Sequence, residues 1–498
     1  MTDTPQAPRP ATAFADLGEP FADPVAPASF PKQIVRFRNQ RWADRVGLGG
    51  LDEAGWRTHF ASFTPLKGGQ AEPLAVRYHG HQFQVYNPDL GDGRGFLYAQ
   101  LHDLADGRLL DFGTKGSGQT PYSRAGDGRL TLKGGVREAL ATEMLEALGV
   151  YTSKTFSLIE TGEQLYRGDE PSPTRSCVMV RLSHSHVRFG AFQRLAFHQD
   201  PEAIGRLVAY CLESLLAGEP EAAAARAPNA DAAEKAGAFL AIVSRRAARL
   251  AASWMAAGFV HGVLNTDNMN VTGESFDYGP YRFAPSADPE FTAAYFDHGG
   301  LYAYGRQPDA VAWNLSRLAG ALLGVASEEK LTDALGGFAE EYRQALLAAL
   351  LARLGLKSGA ATRPEDEEAL PGAALGFLQS ADMPFEWLFF DWFCGGESQA
   401  RAARSPHAAL YQSEAFASLR ALLDRFEPDR PERLANGYFA KDAPTTLLID
   451  EIEAIWERIA ADDDWAPFEA KIAEARAFGE VLGLRPVSAP AEHRPIGG

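Results

Sequence analysis

The segment GFVHGVLNTDNMNVTGESFDYG, residues 258–279, places a group of polar side chains between short apolar runs. Asp267 and Asn268 stand together in this segment, and Asp277 follows ten positions after Asp267. The intervening runs MNV and SF are predicted to form short strands that bring Asn268 and Asp277 together. Amide and carboxylate oxygens are hard ligands that suit Mg²⁺, with Mn²⁺ as the other choice. The segment therefore predicts a metal site, and the alternative is an Asx-rich turn that binds no metal.

Protein kinases place the same residue types in the same order. In kinases a catalytic-loop asparagine and the aspartate of a DFG triplet hold the metal ions that bridge the ATP phosphates. Here His261 precedes Asn268, and the triplet that begins at Asp277 reads DYG. The kinase catalytic aspartate falls two residues after the histidine, where this chain has Val263. Asp267 is the nearest carboxylate that could replace it as a general base, so ordinary phosphoryl transfer is disfavoured.

Lys115 and Glu138 are predicted to form an ion pair between a strand end and the following helix. Apolar residues recur at four-residue spacing from Val136 to Leu148, which predicts that helix. In kinases a strand lysine contacts the ATP phosphates and a glutamate from the next helix holds the lysine in place. We expect Lys115 to be partly exposed. The alternative for Glu138 is an ordinary solvated charge on a helix.

Two glycine turns are candidates for close approach to a phosphate group. The run LGDGRG supplies Gly91, Gly93 and Arg94, and the run TPYSRAGDGR supplies Asp127 and Gly128 in a second turn that could close over a nucleotide. Glycine lets the backbone approach a phosphate, and arginine neutralises its charge. An ordinary hairpin turn is the alternative for GDG. Neither run has the spacing of a Walker A loop.

Arg181 and Arg188 stand seven positions apart in the run VRLSHSHVRFG. With Lys115 and Arg94 they make four cations from separate segments, more than a kinase commonly uses on its nucleotide. Attack at the α-phosphate of ATP expels pyrophosphate, and such a group of cations would stabilise the charge that develops on it. Taken singly, each arginine is explained by a surface salt bridge.

The histidines and cysteines give weaker signals. His79 with His81, and His184 with His186, have the spacing that puts both side chains on one face of a strand. Zinc is one interpretation, but no third ligand is identifiable, and hydrogen-bonded structural histidines are the alternative. The 3 cysteines are scattered without CxxC spacing, which favours a reducing compartment and predicts a cytoplasmic protein.

Length and charge limit the architecture and the partners. With 498 residues, 46% of them hydrophobic, the chain is long enough for a core divided over two or three lobes. A formal net charge of −17 argues against broad attraction to nucleic acid or to an anionic membrane, and we expect neither as a partner. We expect an α+β fold with these regions: a loose N-terminal arm (1–30), a nucleotide-binding region like a kinase N-lobe (31–150), a kinase-like catalytic region with the metal-binding loop (151–330), a mainly helical C-terminal region (331–484) and a flexible tail (485–498).

Taken together, the motifs described above resemble those of the selenoprotein O family, the kinase-like protein adenylyltransferases. The matching text is YHGHQF with LGDGRG, KGSGQTPYSRAGDGR, REALATEMLEALGV, RLSHSHVRFG, GFVHGVLNTDNMNVTGESFDYGPY and DHGGLYAYGRQPDAVAWNLSRLA, over about residues 78–320. The resemblance implies a protein-kinase-like bilobal fold with an additional helical C-terminal region. It also implies transfer of AMP from ATP to Ser, Thr or Tyr hydroxyls of proteins, with ATP reversed relative to kinases. By motif match, the residues implied as nucleotide contacts are Gly91, Gly93, Arg94, Lys115, Asp127, Gly128, Arg181 and Arg188, with Glu138 paired to Lys115, Asn268 and Asp277 as metal ligands, and Asp267 as the general base.

Two departures from the family pattern limit this transfer. Family members often carry a selenocysteine or cysteine near the C-terminus, whereas the tail SAPAEHRPIGG has none, so redox control through that position is in doubt. The last third carries ERLANGYFAKDAPTTLLIDEIEAIW where a family NPxxxxRN motif is expected, so we expect a different choice of substrate.

Two other functions stay open on the sequence alone. One is phosphoryl transfer to a protein or small molecule, against which the valine at position 263 argues. The other is a pseudokinase that binds ATP without turnover and serves as a scaffold for a partner.

Overall fold

The computed structural model describes residues 7–168 and 170–486. The strands are β1 (Pro10–Ala11), β2 (Ala22–Pro24), β3 (Ile34–Arg38), β4 (Leu74–Val76), β5 (Gly80–Gln82), β6 (Val85–Asn87), β7 (Leu97–His102), β8 (Leu109–Lys115), β9 (Leu130–Thr131), β10 (Lys154–Leu165), β11 (Thr174–Ser183), β12 (Phe259–Val260), β13 (Arg282–Phe283), β14 (Leu356–Lys357) and β15 (Glu427–Pro428).

The helices alternate with these strands in the first half of the chain and dominate the second half. They are α1 (Gln40–Arg45), α2 (Glu53–Phe60), α3 (Leu132–Ala147), α4 (Phe189–Phe197), α5 (Pro201–Tyr210), α6 (Pro220–Ala225), α7 (Ala232–Ala256), α8 (Gln307–Ala321), α9 (Glu328–Leu335), α10 (Phe338–Leu354), α11 (Pro364–Ser380), α12 (Phe385–Asp391), α13 (Gln399–Ala402), α14 (Glu414–Leu423), α15 (Ile449–Asp462) and α16 (Ala466–Leu482). Short helical turns lie at Ala15–Leu17, Cys211–Leu215, Thr266–Asn268, Tyr304–Arg306, Gly395–Ser398, Leu410–Gln412, Pro431–Ala435 and Gly437–Ala440.

An antiparallel sheet organises the first half of the chain. Within the described residues it has nine strands in the order β2-β4-β7-β8-β11-β10-β3, with β1 added beside β7 and β9 beside β11. The fold class is α+β, as the sequence predicts. The expected boundary at residue 150 falls inside this sheet, because β10 and β11 pair with β3 and β8. The strand-bearing region therefore extends to Ser183.

The stretch 1–30, expected to be a loose arm, is part of the sheet in its described residues. β1 pairs with β7 and β2 pairs with β4. Phe14 and Phe21 are each only 4% exposed and join the main core. The composition of this stretch resembles that of disordered segments, but two buried aromatic rings are enough to attach it. At the other end, residues 487–498 of the expected flexible tail lie outside the described residues.

The two faces of the sheet bury different sets of side chains. Along β11, Val178 and Val180 pack into an aromatic core with α1 and α2, whereas Cys177 and Met179 pack into the core that includes α3. Successive side chains of a strand point to opposite faces. Arg181, two residues after Met179, therefore lies on the α3 face of the sheet.

Helix α3 lies very close to the sheet because glycine occupies its contact point. The Thr131 hydroxyl accepts a hydrogen bond from the Gly134 amide at 3.2 Å and caps the helix N-terminus. A Cβ atom at Gly135 would lie 2.5 Å from Leu158 Cδ1 and 2.7 Å from Cys177 Sγ. One turn later the helix carries Glu138, which is thereby directed at the sheet strands.

The second half of the chain is built around helix α7, which packs against α8, α9 and α10. Its N-terminus has a capping box, in which Asp231 and Glu234 bond each other's backbone amides. The last helix, α16, returns to the sheet region and packs on α3. There Arg476 donates two hydrogen bonds of 2.7 Å to the Glu143 carboxylate, which is 2% exposed.

None of the helices formed by residues 7–168 and 170–486 combines the length and the apolar character needed to span a bilayer.

The contact at Gly135 generates a prediction about stability. We expect Gly135→Ala to lower the free energy of unfolding by about 1–3 kcal/mol, because the added methyl group overlaps Leu158 and Cys177 in a filled core. Gly376→Ala is the matched control: it lies at an exposed position of helix α11 with no atom within 4 Å of the new Cβ, and we expect stability to be unchanged or higher by up to about 1 kcal/mol. Thermal unfolding of both variants measures this. Equal melting temperatures for the two would contradict the close contact.

Candidate active site

A cavity of about 600 Å³ opens beside the α3 face of the sheet and extends to the segment 258–279. Ten of the predicted site residues line it: Gly91, Gly93, Arg94, Lys115, Asp127, Gly128, Arg181, Arg188, Asp267 and Asp277. Glu138 and Asn268 are not among its lining residues. The structure therefore brings together residues from sequence segments almost 190 positions apart.

Lys115 lies between two carboxylates. Its Nζ donates to Glu138 Oε2 at 2.8 Å and to Asp277 Oδ1 at 2.8 Å. The Lys115 side chain is 5% exposed, so the expectation of a partly exposed lysine was wrong. Glu138 is buried too, with 1% of its side chain exposed. The lysine is buried because the helix that carries its partner lies so close to the sheet.

Arg181 lies beside the same two carboxylates. Its Nε is 3.3 Å from Glu138 Oε1, without the alignment of a hydrogen bond, and Nη2 is 3.4 Å from Asp277 Oδ1. Its buried Nε and Nη1 atoms have no hydrogen-bond partner in the structure. Buried donors without partners are costly, so the guanidinium is arranged to bind an acceptor that enters the cavity.

Arg188 is held between rings and carboxylates. Its guanidinium lies 4.3 Å from the Tyr78 ring centroid and 5.1 Å from that of Phe276. Asp92 Oδ1 is 3.5 Å from Nη2, and burial raises the pKa of Asp92 against the opposing charge of Arg188. The sequence analysis missed Tyr78 and Asp92 as supports. Asp92 stands inside the GDGRG run, in which the glycines and the arginine indicate phosphate binding and the aspartate carries no signal of its own.

Asp277 is ionised in this environment. Burial alone would raise its pKa, but the charges of Lys115, Arg181 and Arg188 outweigh burial and hold the pKa well below its usual range. The residue has a positive φ of 64°, a backbone conformation that is uncommon outside glycine and concentrates at functional sites. A deprotonated carboxylate held at the cavity wall is suited to a divalent cation.

Asp267 is a buried carboxylate with an unused oxygen. Gln82 Nε2 lies 3.4 Å from Asp267 Oδ2, and Oδ1 is buried without a hydrogen-bond partner. Burial raises the pKa of Asp267 to about 6, while Arg188 opposes that rise. A Cβ atom at Gly80 would lie 2.8 Å from Oδ1, so the glycine is required for the carboxylate to fit. Gly80 and Gln82 lie in the run YHGHQF, whose pattern predicts no role for either residue.

Asn268 ends the short helical turn Thr266–Asn268 rather than preceding a strand. The expected strands at MNV and SF were wrong, since the described residues form only isolated bridges there, Arg188 with Asn270 and Thr152 with Ser275. The Asn268 amide nitrogen donates to the Val263 carbonyl at 2.9 Å. This bond fixes the amide orientation and leaves its oxygen available as an acceptor.

The two glycine turns pack against each other at the cavity entrance. A Cβ at Gly91 would overlap the Tyr122 ring at 2.3 Å, and one at Gly93 would lie 2.8 Å from the Tyr122 carbonyl oxygen. Gly128 has a φ of 70° and lies against Gly118. Both turns therefore need glycine in order to fit. Their charged members differ: Arg94 forms no ion pair with any residue the structure describes, and the Asp127 carboxylate binds Arg167 at 2.9 Å.

Three of the four paired histidines form hydrogen bonds, whereas both ring nitrogens of His186 are buried without a hydrogen-bond partner among the described residues. His79 Nδ1 lies 2.8 Å from the Tyr86 hydroxyl, His81 Nδ1 lies 2.9 Å from Gln193 Nε2, and His184 Nδ1 lies 2.7 Å from the Tyr151 hydroxyl. Within the described ranges no three His, Cys, Asp or Glu side chains converge in a way that could hold a metal. A site for Mg²⁺ needs fewer protein ligands, because substrate phosphates and water complete it.

Comparison with known proteins identifies the family. Residues 9–476 match the family model described as protein adenylyltransferase SelO. The chain is 44% identical over 472 residues to the protein nucleotidyltransferase YdiU of Synechocystis sp., covering 92% of this chain and 95% of that protein. It is 46% identical over 480 residues to the YdiU of Gloeobacter violaceus, covering 93% of this chain and 94% of that protein. It is 39% identical over 350 residues to the YdiU of Vibrio cholerae, covering 69% of this chain and 67% of that protein. The chain therefore belongs to the protein adenylyltransferase SelO family, nucleotidyltransferases that transfer AMP from ATP to proteins.

Proposed function

We propose that this enzyme binds ATP as a magnesium complex in the cavity beside α3 and transfers AMP to Ser, Thr and Tyr hydroxyls of proteins, releasing pyrophosphate. The observation that carries the proposal is the convergence of Lys115, Arg181 and Arg188 around Asp277 at the cavity wall. These three cations share the carboxylates of Glu138, Asp277 and Asp92. Arg181 still has N–H groups without partners among the described residues, and these can donate to phosphate oxygens. Such a site stabilises negative charge strongly, because water does not compete there.

The residues present fit a divalent cation. Asp277 offers an ionised carboxylate, and Asn268 offers an amide oxygen that accepts no hydrogen bond from the described residues. Both are hard oxygen ligands, as Mg²⁺ requires, and one or two protein ligands suffice when phosphates supply the others. A bound Mg²⁺ would neutralise phosphate charge and polarise the phosphorus–oxygen bonds.

The nucleotide contacts follow from the cavity lining. Arg181 reaches the phosphates from strand β11, Arg188 from the N-terminus of α4 and Arg94 from the first glycine turn. Gly91, Gly93, Asp127 and Gly128 form the entrance, where the backbone approaches the nucleotide. Glu138 acts through Lys115, whose position it fixes. The orientation of ATP is reversed relative to kinases, which places the α-phosphate at the acceptor.

Asp267 supplies the base for the chemical step. The acceptor hydroxyl oxygen attacks the α-phosphorus, a new O–P bond forms, and the bond from the α-phosphorus to the bridging oxygen breaks. The electron pair of that bond leaves with pyrophosphate, and the hydroxyl proton passes to Asp267. The unpartnered Oδ1 and the pKa near 6 support this role, because a base should titrate near the working pH.

The overall architecture proposed is bilobal and like that of protein kinases. The antiparallel sheet and helix α3 carry the Lys115–Glu138 pair, and α7, the central helix of the helical lobe, precedes the segment with Asp267 and Asp277. This order and pairing support the proposal. The nucleotide-binding lobe then runs to the end of β11, the catalytic lobe to about residue 330, and the helical C-terminal region, 331–484, follows.

Labelled ATP tests the proposed reaction. Label at the α-phosphate should appear on acceptor protein, while label at the γ-phosphate should appear in pyrophosphate. Transfer of the γ-label to protein would show a kinase instead. Binding of ATP without transfer of either label would show a scaffold.

Replacing Lys115 tests the cavity. We expect Lys115→Met to lower AMP transfer by about 10²- to 10³-fold, because one charged donor is lost from a site that stabilises developing charge. The matched control is Lys133→Met, which removes a lysine of α3 that binds Glu453 outside the cavity. The rate of AMP transfer and the melting temperature are measured for both. A folded Lys115→Met enzyme of near-normal activity would refute the assigned site.

Replacing Asp277 tests the metal site. We expect Asp277→Asn to weaken ATP binding at least about tenfold in the presence of Mg²⁺ and to abolish the dependence of affinity on Mg²⁺, because an amide cannot balance the ion's charge. Calorimetry with and without Mg²⁺ measures both quantities. Asp309→Asn, a change in the first turn of α8, should leave them unaltered. Unchanged metal dependence in Asp277→Asn would mean that the DYG triplet is structural.

Replacing Asp267 separates binding from chemistry. As the general base, Asp267→Asn should keep ATP and Mg²⁺ affinity and lower turnover by about 10²- to 10⁴-fold. If Asp267 is instead a metal ligand, affinity and turnover should fall together. Parallel measurement of ATP affinity and AMP-transfer rate decides between the roles, and two unchanged values would exclude both.

A further inference from the structure

Strands β5 and β6 form a hairpin that rests on the catalytic segment. The His81 amide donates to Thr266 Oγ1 at 2.7 Å, and the Phe83 amide donates to Asn265 Oδ1 at 3.1 Å. The turn between the strands consists of Phe83 and Gln84, with φ values of 49° and 64°. A two-residue turn of this kind favours glycine or asparagine. Its strained backbone is stabilised by the contacts with the catalytic segment.

The two faces of this hairpin have different neighbours. His81 and Tyr86 are cross-strand partners, and their rings contact each other on the face toward α4 and α8. Gln82 pairs with Val85, so these two side chains share the opposite face. Gln82 reaches Asp267 on that face, and its amide is oriented by Asn87 Nδ2, which donates to Gln82 Oε1 at 3.1 Å. Val85 is therefore on the same face as the catalytic carboxylate.

Exposed apolar side chains surround this face. Of the seven large hydrophobic residues that are exposed in the described part of the chain, three are Val85 at 70%, Tyr295 at 77% and Phe296 at 43%. The Phe296 ring lies 5.8 Å from that of Phe83 and 5.1 Å from that of Tyr295. Phe83 in turn contacts Tyr302, whose hydroxyl donates to Asn265 at 2.9 Å. Phe83, Phe296 and Tyr295 thus form a series of ring contacts that begins beside Asn265, two residues before Asp267.

We propose that Val85, Phe83, Phe296 and Tyr295 form the acceptor surface, which binds an apolar side chain of the protein substrate close to the hydroxyl that receives AMP. This inference rests on the proposed function, since it takes Asp267 as the base. Contiguous exposed apolar groups mark sites of interaction, whereas scattered ones do not. The occupant is the acceptor segment, because Val85 is the cross-strand partner of Gln82, which contacts Asp267, and the Phe83 amide donates to Asn265, so a chain whose hydroxyl reaches Asp267 from this side passes beside these side chains.

The geometry also sets how close the apolar residue must be. Side chains that pair across two antiparallel strands have Cβ atoms about 4.5–5.5 Å apart. An extended chain advances about 3.3–3.6 Å per residue. A substrate side chain that packs against Val85 or Phe83 is therefore expected within about three positions of the acceptor hydroxyl in the sequence of the substrate.

Synthetic peptides test the acceptor surface. Each peptide carries one threonine as acceptor, flanked within three positions by Leu or Phe, or by Asn in the matched set. We expect kcat/KM for the Leu and Phe peptides to exceed that for the Asn peptides about tenfold, mainly through KM, as burial of one apolar side chain provides. Tyr295→Ser and Phe296→Ser should reduce this preference to less than about twofold, while the KM for ATP stays unchanged. Val85→Ser serves as an independent third variant.

The controls use exposed apolar residues elsewhere. Phe197, 55% exposed, stacks on Tyr86 on the other face of the hairpin, and Leu323, 54% exposed, follows α8. Phe197→Ser and Leu323→Ser should retain the preference, and melting temperatures verify the fold of every variant. AMP transfer without any apolar preference, or a preference that all three surface variants retain, overturns the acceptor surface and leaves the proposed function standing. No AMP transfer to peptide or protein overturns both.

Self-association gives a separate test. If the surface is instead an interface between two copies of this chain, sedimentation will show a dimer that Tyr295→Ser dissociates. That result overturns the proposal. A wild-type sedimentation coefficient that is independent of concentration supports it.

Discussion

Lys115 forms hydrogen bonds to Glu138 and Asp277 at once, and this buried contact joins the sheet, helix α3 and the segment after α7. Two carboxylates this close would repel each other without a cation between them, and one cation alone would be costly to bury. Two further cations are arranged around the same carboxylates. Arg181 approaches both of them, and Arg188 adds its charge from the N-terminus of α4, so Asp277 stays ionised. Removing one member leaves the others buried without compensation, which is why such networks act as units.

Much of this site could be predicted from the sequence. The Lys115–Glu138 pair follows from the order strand, lysine, helix, glutamate, because a helix that packs back on its own strand brings the two together. Asp267 and Asp277 follow from the density of polar residues between apolar runs, since buried polar groups need a functional or structural partner. In both cases the chemistry of the residue types and their local order were sufficient.

Other features were out of reach for physical reasons. The hairpin β5–β6 has Phe83 and Gln84 at its turn, and neither residue signals a turn. The turn is held by the hydrogen bond that the Phe83 amide donates to Asn265, far along the chain. The N-terminal stretch has a composition typical of disorder, yet two buried phenylalanines attach it to the sheet. The burial of Lys115 depends on how closely α3 approaches, which is a property of tertiary packing at Gly135. Long-range contacts decided each of these points, and periodicity carries no information about them.

The packing of α16 on α3 has a consequence for how the protein is made. Glu143 lies on the helix that carries Glu138, and its two-bond partner is Arg476, which follows 333 residues later. A ribosome therefore completes the whole sheet long before it supplies the arginine. Until α16 packs on α3, the partners of the Glu143 carboxylate are Arg41 and Asn39, which precede it in the chain. The helix that carries Glu138 therefore gains its final packing only after the C-terminal helix has been synthesised.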